Sequence, residues 1–175
     1  MVAIDNTFLS LMLHPRAKPP KDPATGKPVE RIGDRIEKLL EDLDSESERI
    51  ILPTPVLSEF VIQVGKDGPA YLDKLSAMKN ILAKAFDQVA AIELAALEVE
   101  DRLKHSKRVG SASPWAKLRF DRQIVAIAKA NRATRIYSDD EDVMKFATRI
   151  GIQVVRTWEL ALPAAKQINI QYDQP

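Results

Sequence analysis

The chain has 175 residues, a length typical of one domain that can bury a core without disulfides. It contains no cysteine and two histidines, which excludes zinc fingers, iron–sulfur clusters and thiol nucleophiles and disfavours His-rich metal sites. The 26 basic and 25 acidic side chains give a net charge of +1, and that average argues against a strongly basic nucleic-acid binder.

Hydropathy gives no indication of a membrane protein. No apolar run reaches the roughly 18 residues that a transmembrane helix needs, and no positively charged segment precedes an apolar stretch near residue 1. The sequence therefore predicts a cytoplasmic protein without membrane contact.

Short apolar runs alternate with helical patterns along the chain. The predicted strands span residues 1–4, 49–52, 81–86, 134–137 and 152–155. Apolar residues at helical spacing predict helices over 8–13, 29–43, 55–64, 69–79, 87–104, 114–131 and 140–149, with a last turn or helix over 158–165. This alternation predicts a three-layer α/β/α fold, with a central parallel sheet of about five strands.

Capping residues predict where two of these helices begin, and an apolar stripe predicts which face of the second helix is buried. Thr54 is predicted to cap the helix in which Pro55 takes the first helical position. Asp87 is predicted to cap the helix over 87–104. The buried stripe of that helix is predicted to be Val89, Ile92, Ala96, Val99 and Leu103.

Two segments fall outside the alternation. Residues 15–28 contain five prolines, one glycine and four cations against one Asp, which predicts a basic insertion without regular structure, beginning at about residue 14. Residues 161–175 are predicted to form a C-terminal tail, so the single domain spans residues 1–160.

Carboxylates and hydroxyls follow several of the predicted strands, where sites form in parallel α/β sheets. Asp5 follows the first strand and is trailed by Asn6 and Thr7, while Glu59 lies in the helix after the second strand. The fourth strand is followed by Ser138, Asp139, Asp140, Glu141 and Asp142. The same edge of the sheet thus collects acids from three segments.

A fourth acidic segment comes from the helix over 114–131. Asp121 shares its predicted inward face with an apolar stripe formed by Leu118, Ile124, Val125 and Ala128. Glu59 repeats the pattern, with Val56 and Ile62 at i−3 and i+3. A carboxylate on an inward face needs a partner.

Clustered carboxylates repel one another, by about 4 kcal/mol for a pair ~4 Å apart at an effective dielectric constant of ~20. Hard divalent ions such as Mg²⁺ or Mn²⁺ offset this repulsion and prefer oxygen ligands. Taken singly, each acid also has an ordinary explanation as a helix cap, a solvated side chain or an ion-pair partner of Arg119, Arg122 or Arg135. That four acidic segments meet at one predicted edge of the sheet favours a metal site over four unrelated explanations.

Positive charge concentrates in one stretch of the chain. Residues 101–135 carry ten Lys and Arg against two Asp, a local net charge of +8. A phosphate backbone that approaches a metal cluster needs neighbouring cations, and Lys117, Arg119 and Arg122 are the candidates, with Trp115 available to stack on a base. The competing interpretation is a solvated helix face.

Four short motifs, in this order, resemble those of PIN-domain nucleases. They are VAIDNTFL at 2–9, ILPTPVLSEF at 51–60, FDRQIVAIA at 120–128 and IYSDDEDV at 136–143. The resemblance covers about residues 2–155. The chain departs from a compact PIN toxin in its Pro-rich insertion, and Val143 stands where the fourth motif usually has an aromatic residue.

The resemblance implies a Mg²⁺- or Mn²⁺-dependent ribonuclease, and many such proteins are VapC-type toxins of toxin–antitoxin pairs. Carried onto this chain, the acidic quartet is Asp5, Glu59, Asp121 and Asp140, and Ser138 supports it. Asp140 is preferred to Asp139 because the family's acid lies two residues after the hydroxyl. Asp139, Asp142 and Glu93 are lower-ranked candidates. The implied partners are RNA, a small antitoxin and a second copy of the chain.

Two other classes remain open. An inactive PIN-like scaffold that binds RNA or protein would also fit, although all four acids are present. A phosphotransfer fold fits less well. A receiver domain needs an acidic pair after the first strand, where Asp5 stands alone, and an Asp after the third, where Asp87 is the only candidate. A haloacid-dehalogenase fold needs Asp-x-Asp-x-Thr, whereas this chain has Asp5-Asn-Thr.

Overall fold

The computed structural model describes the backbone of residues 1–104 and 115–163, and the side chains of residues 1–100 and 119–163. The strands are β1 (Val2–Ile4), β2 (Ile50–Pro53), β3 (Ile81–Lys84), β4 (Arg135–Tyr137) and β5 (Gln153–Val155). The helices are α1 (Asn6–Leu13), α2 (Ile32–Ser45), α3 (Thr54–Val64), α4 (Gly68–Ala77), α5 (Gln88–Lys104), α6 (Trp115–Ala130) and α7 (Glu141–Arg149). Short 3₁₀ turns span Gly65–Asp67 and Thr157–Glu159.

The five strands form one sheet in the order β3-β2-β1-β4-β5, and every pairing between them is parallel. Side chains alternate between the two faces, as strand geometry requires. Val2 and Ile4 pack in one apolar cluster with residues of α1 to α4, while Ala3 packs in a second cluster with residues of α5 to α7. The predicted three-layer α/β fold with a parallel sheet is therefore confirmed.

Local sequence signals explain where several helices begin. Asp5 caps α1 by accepting a hydrogen bond from the Phe8 amide, so α1 starts at Asn6, two residues earlier than predicted. Asp87 accepts from the Ala90 amide at 2.9 Å, as predicted. The prediction for Thr54 is wrong, because α3 begins at Thr54 and its cap is Pro53, which is extended with φ −60° and ψ 135°.

The insertion contains no helix and no strand, as its prolines predict. A single antiparallel bridge joins Lys21 and Pro28, and the Asp22 amide donates to the Lys27 carbonyl at 2.8 Å. The chain thus closes into a small hairpin-like loop before α2. Of the predicted tail at 161–175, only residues 161–163 lie within the described part.

The predicted buried stripe of α5 is wrong. Val89, Ile92 and Val99 are 54%, 61% and 56% exposed, and Leu103 lies outside the described side chains. The helix instead buries Ala90 and Leu97 against α6 and α7. Periodicity identified an apolar stripe correctly, but it could not tell which of two apolar faces meets the sheet.

Among the described helices, none combines the length and the apolar character that crossing a membrane requires.

Candidate functional site

The candidate site lies where the chain changes direction across the sheet. From β1 the chain runs to β2 and β3 on one side, and β4 and β5 lie on the other. The carboxyl ends of β1 and β4 are therefore neighbours at a topological switch point, the usual location of a site in such sheets. The Asp5 amide donates to the Tyr137 carbonyl at 3.1 Å, which holds the two strand ends together.

Asp5 is buried at this switch point. Its Oδ1 accepts from the Phe8 amide at 3.0 Å, and its Oδ2 accepts from the Ser138 hydroxyl at 2.6 Å. Burial raises the pKa of Asp5 to about 7, and the charges of Asp139 and Asp140 add to the increase, while the two hydrogen bonds oppose it. The Asp5 carboxyl group thus has a fixed orientation, and a nearby cation would stabilise its ionised form.

Ser138 connects Asp5 to the start of α7. Its hydroxyl oxygen accepts from the Asp140 amide at 3.1 Å while donating to Asp5. Asp140 caps α7, since its Oδ1 accepts from the amides of Asp142 and Val143 at 2.7 and 3.2 Å. The cap leaves Asp140 on the cavity side of the loop. Ser138, which the fourth motif places beside the acids, thus hydrogen-bonds to Asp5 through its hydroxyl proton and to the Asp140 backbone through its hydroxyl oxygen.

Asp139 does not line the acidic cavity and is held by Thr157 instead. It accepts from the Thr157 amide at 2.8 Å and from the Thr157 hydroxyl at 2.7 Å. Buried Arg156 donates to the Ser138 carbonyl at 3.4 Å and pairs with Glu141 at 2.9 Å. These contacts fix the loop of residues 138–140 between β4 and α7, called here the acidic loop. Sequence reasoning missed Arg156 and Thr157, although both follow β5 at the same edge of the sheet.

The predicted acids meet around one cavity of about 330 Å³, called here the acidic cavity. Carboxylate oxygens of Asp121, Asp140 and Asp142 lie within 4.8 Å of one another. The polar lining consists of Asp5, Asn6, Thr7, Ser58, Glu59, Asp121 and Asp140, and the apolar lining consists of Pro55, Ile62, Phe120, Ile124 and Val143. Four chain segments thus contribute acids to a single space.

The two predicted inward-facing acids differ in burial. Asp121 is buried on α6 beside Ile124 and Val125, as predicted. Glu59 is exposed on α3, and Ile62 on the same face is 78% exposed, so the inward-face prediction for Glu59 is wrong. Glu59 and Ile62 both line the acidic cavity at its mouth, whereas Val56, one turn earlier on α3, packs in the core.

The remaining candidates lie elsewhere. Glu93 on α5 pairs with Lys129 at 3.0 Å and does not line the acidic cavity. Arg122 pairs with Glu98, and its guanidinium carbon lies 5.2 Å from the centre of the Phe146 ring. Arg119 is exposed on α6. The side chains of Trp115 and Lys117 fall outside the described part.

The donor set of the acidic cavity fits a hard divalent cation. Three carboxylates within 4.8 Å of one another supply the negative charge that such an ion neutralises. Asn6 Oδ1 is buried and has no hydrogen-bond partner among the described residues. A buried carbonyl oxygen of this kind normally has a partner, and a cation or its bound water would satisfy it.

A second concave surface adjoins the acidic cavity and shares Asn6 and Thr7 with it. Its other lining residues are Ser10, Leu11, His14, Arg16, Ala17, Lys18 and Gln63, and we call it the basic groove. Arg16 and Lys18 come from the Pro-rich insertion and are exposed. Gln63 accepts from Asn6 Nδ2 at 3.1 Å, which ties α3 to this junction.

No family model and no curated protein matches the sequence. Solved structures of similar fold do exist. A chain in the crystal structure of VapBC2 from Rickettsia felis, bound to a promoter DNA fragment, is 16% identical with a TM-score of 0.53. A chain in DNA-bound VapBC from Salmonella typhimurium is 15% identical with a TM-score of 0.53. Each match covers 89% of this chain, and 98% and 97% of the respective neighbour. This chain therefore has an α/β fold like that of VapC PIN domains, as its motifs predict.

Proposed function

We propose that the chain is a metal-dependent endoribonuclease that hydrolyses phosphodiester bonds in RNA and acts as the toxin of a toxin–antitoxin pair in the cytoplasm. The observation that carries the proposal is the convergence of Asp5, Glu59, Asp121 and Asp140 on one cavity at the switch point of a PIN-like fold. The fold similarity to VapBC structures supports the toxin assignment.

Asp121, Asp140 and Asp142 would hold Mg²⁺ or Mn²⁺, with Asp5 and Asn6 beside them. When bound, such an ion would lower the pKa of a water molecule in its coordination shell and neutralise charge on a phosphate. Ser138 keeps Asp5 and Asp140 in fixed orientation through its two hydrogen bonds. Glu59, exposed at the mouth, is available to accept a proton from the attacking water.

Cations beside the cavity would hold the substrate backbone. Arg119 on α6 is exposed, and Lys117 and Arg122 are the other candidates from that helix. Arg122 also pairs with Glu98, and that pair would have to open for the guanidinium to bind a phosphate. The basic groove offers two further cations, Arg16 and Lys18, which line it together with Asn6 and Thr7.

Two protein partners belong to the proposal. The VapBC neighbours support an antitoxin, which would cover the acidic cavity with a basic side chain. A second copy of the chain is the other expected partner, and the exposed stripe of α5 suits it. Val89, Ile92, Ala96 and Val99 repeat at alternating steps of three and four residues, a spacing that lets a helix pack against another copy of itself.

A cleavage assay tests the proposed activity. Labelled single-stranded RNA is incubated with the purified protein and Mn²⁺ or Mg²⁺, with and without EDTA, beside the Asp121→Asn variant. We expect cleavage that requires the metal and is lost in the variant. Metal-dependent cleavage that Asp121→Asn retains would contradict the site assignment. Binding of RNA without cleavage under any metal condition would favour the inactive binding module.

A further inference from the structure

Two large apolar side chains are exposed at the mouth of the acidic cavity. Ile62 on α3 is 78% exposed and Phe120 on α6 is 53% exposed, and both line the cavity. Single exposed apolar side chains are common, but two that line the same ligand-sized cavity indicate an apolar contact for a ligand. Neither residue is a member of the two apolar clusters that form the core.

These side chains are fixed relative to the acids by helix geometry. Phe120 directly precedes Asp121, and Ile62 lies one turn after Glu59 on the same face of α3. The cavity lining therefore combines carboxylates with an aromatic ring and an aliphatic side chain. A matching ligand combines a group that binds beside a cation with a flat apolar group close to it.

A nucleotide has this combination. Its phosphate carries the negative charge that a cation held by the carboxylates attracts, and its base has a flat face that stacks on an aromatic ring. The cavity volume of about 330 Å³ falls in the range of sites for small ligands. A base reaches such a cavity only when it is unstacked from its neighbours, as in single-stranded loops and ends.

We propose that Phe120 and Ile62 form a nucleobase subsite, which holds one unstacked base beside the scissile phosphate in the acidic cavity. The inference rests on the proposed ribonuclease function and deepens it, because it specifies how the substrate is positioned. Phe120 supplies the stacking face and Ile62 adds an aliphatic contact to the base. The subsite requires a substrate that is single-stranded at the cleavage position.

Steady-state cleavage of a short labelled RNA in Mn²⁺ tests the subsite. Stacking on an aromatic side chain contributes enough per base that Phe120→Ala should raise KM about 5- to 100-fold, and Phe120→Tyr should restore it. Ile62→Ala should raise KM less. Leu72→Ala, which removes an exposed apolar side chain from α4 outside the cavity, is the matched control and should leave KM unchanged.

A second substrate separates stacking from a structural effect. Oligonucleotides that lack one base at a time beside the cleaved bond are compared in wild type and Phe120→Ala. At the position that occupies the subsite, removal of the base should abolish the difference between the two proteins. A KM penalty that persists on every abasic substrate would overturn the subsite, and so would an unchanged KM in Phe120→Ala.

The outcomes also separate this inference from the proposed function. Metal-dependent cleavage by wild type with no effect of Phe120→Ala overturns the subsite alone. If wild type cleaves no RNA, the ribonuclease function and the subsite both fail. If Phe120→Ala leaves cleavage intact but weakens capture of a protein partner, the apolar pair is a protein contact and the base subsite is wrong.

Discussion

The acidic cavity and the basic groove share Asn6 and Thr7, yet the two regions hold their charged groups in different ways. Asp5 directly follows β1 and Asp140 lies three residues after the end of β4, and the hydroxyl of Ser138 hydrogen-bonds to both segments. Arg16 and Lys18 lie on the insertion, exposed and outside any helix or strand. Under the proposed function, the acidic cavity would be a preorganised centre for chemistry and the basic groove an adaptable surface for the substrate backbone.

The largest expected effect comes from removing one charge inside the acidic cavity while keeping the helix cap. Asn serves as an N-cap about as well as Asp, so Asp140→Asn should fold normally and lose at least about 100-fold in metal-dependent kcat. Cleavage rates and thermal unfolding of the same preparation measure both quantities. Asp140→Ala should additionally lose about 0.5–2 kcal/mol of stability, because the amides of Asp142 and Val143 lose their acceptor.

A contradictory result would be Asp140→Asn with wild-type kcat. In that case Asp140 would be only a helix cap and would take no part in chemistry at the acidic cavity.

The next effect concerns pH. Burial raises the pKa of Asp5 from 3.8 to about 7, so the folded chain holds a proton that the unfolded chain has already lost between those values. In the absence of metal, the contribution of Asp5 to the free energy of unfolding should therefore fall as the pH rises from about 4 to about 7, by on the order of 4 kcal/mol. Thermal unfolding across this range, in buffers free of divalent ions, measures the slope.

Divalent metal should reverse part of that loss. Since a cation favours the ionised form of Asp5, the rise in Tm on adding Mn²⁺ should be larger at pH 8 than at pH 5.5. Asp5→Asn removes the titrating group and is the control. If Asp5→Asn shows the same dependence of Tm on pH as wild type, the stability change has another source.

A smaller effect is expected in the basic groove. The double variant Arg16→Ala/Lys18→Ala should bind single-stranded RNA about 10-fold more weakly, and the slope of log K against log salt should fall by about 1.4 for two phosphate contacts. Fluorescence anisotropy at several salt concentrations gives both values. Lys21→Ala/Lys27→Ala removes the same charge from the insertion outside the groove and should change neither.

Equal losses in the two double variants would contradict a role for the groove itself. The effect would then come from the general charge of the insertion.

The smallest effect on cleavage should come from α5, which lies outside both regions. Ile92→Glu places a charge in the exposed apolar stripe and should shift the chain from dimer to monomer at micromolar concentration, with little change in kcat. Sedimentation equilibrium measures the mass, and Leu72→Glu is the control on another exposed apolar side chain. A chain that is monomeric before substitution would contradict the dimer.

The sequence predicted the layers and the acids because both depend on local patterns. Alternating apolar runs and helical periods specify a parallel sheet, and the ends of its strands then bring Asp5 and Asp140 together. Asp121 was predictable because its neighbours Ile124 and Val125 define an inward face. In each of these cases, a few adjacent residues carried the information.

Other features depend on contacts between distant segments. Glu59 and Ile62 lie at a cavity mouth, which helical periodicity cannot distinguish from a buried face. The apolar stripe of α5 is exposed because Ala90 and Leu97 pack on the core instead. Arg156 and Thr157 hydrogen-bond to residues of the acidic loop that lie 18 positions earlier in the sequence. The basic groove forms only because the insertion folds back beside α3.

Calorimetric titration with Mn²⁺ tests most directly whether the acidic cavity binds a divalent cation. Wild type should bind Mn²⁺ at pH 8 with saturable heat, Asp121→Asn should bind it at least about 10-fold more weakly, and Glu93→Gln on α5 should match wild type. Equal Mn²⁺ affinity in wild type and Asp121→Asn, or no saturable binding in wild type, would contradict the account.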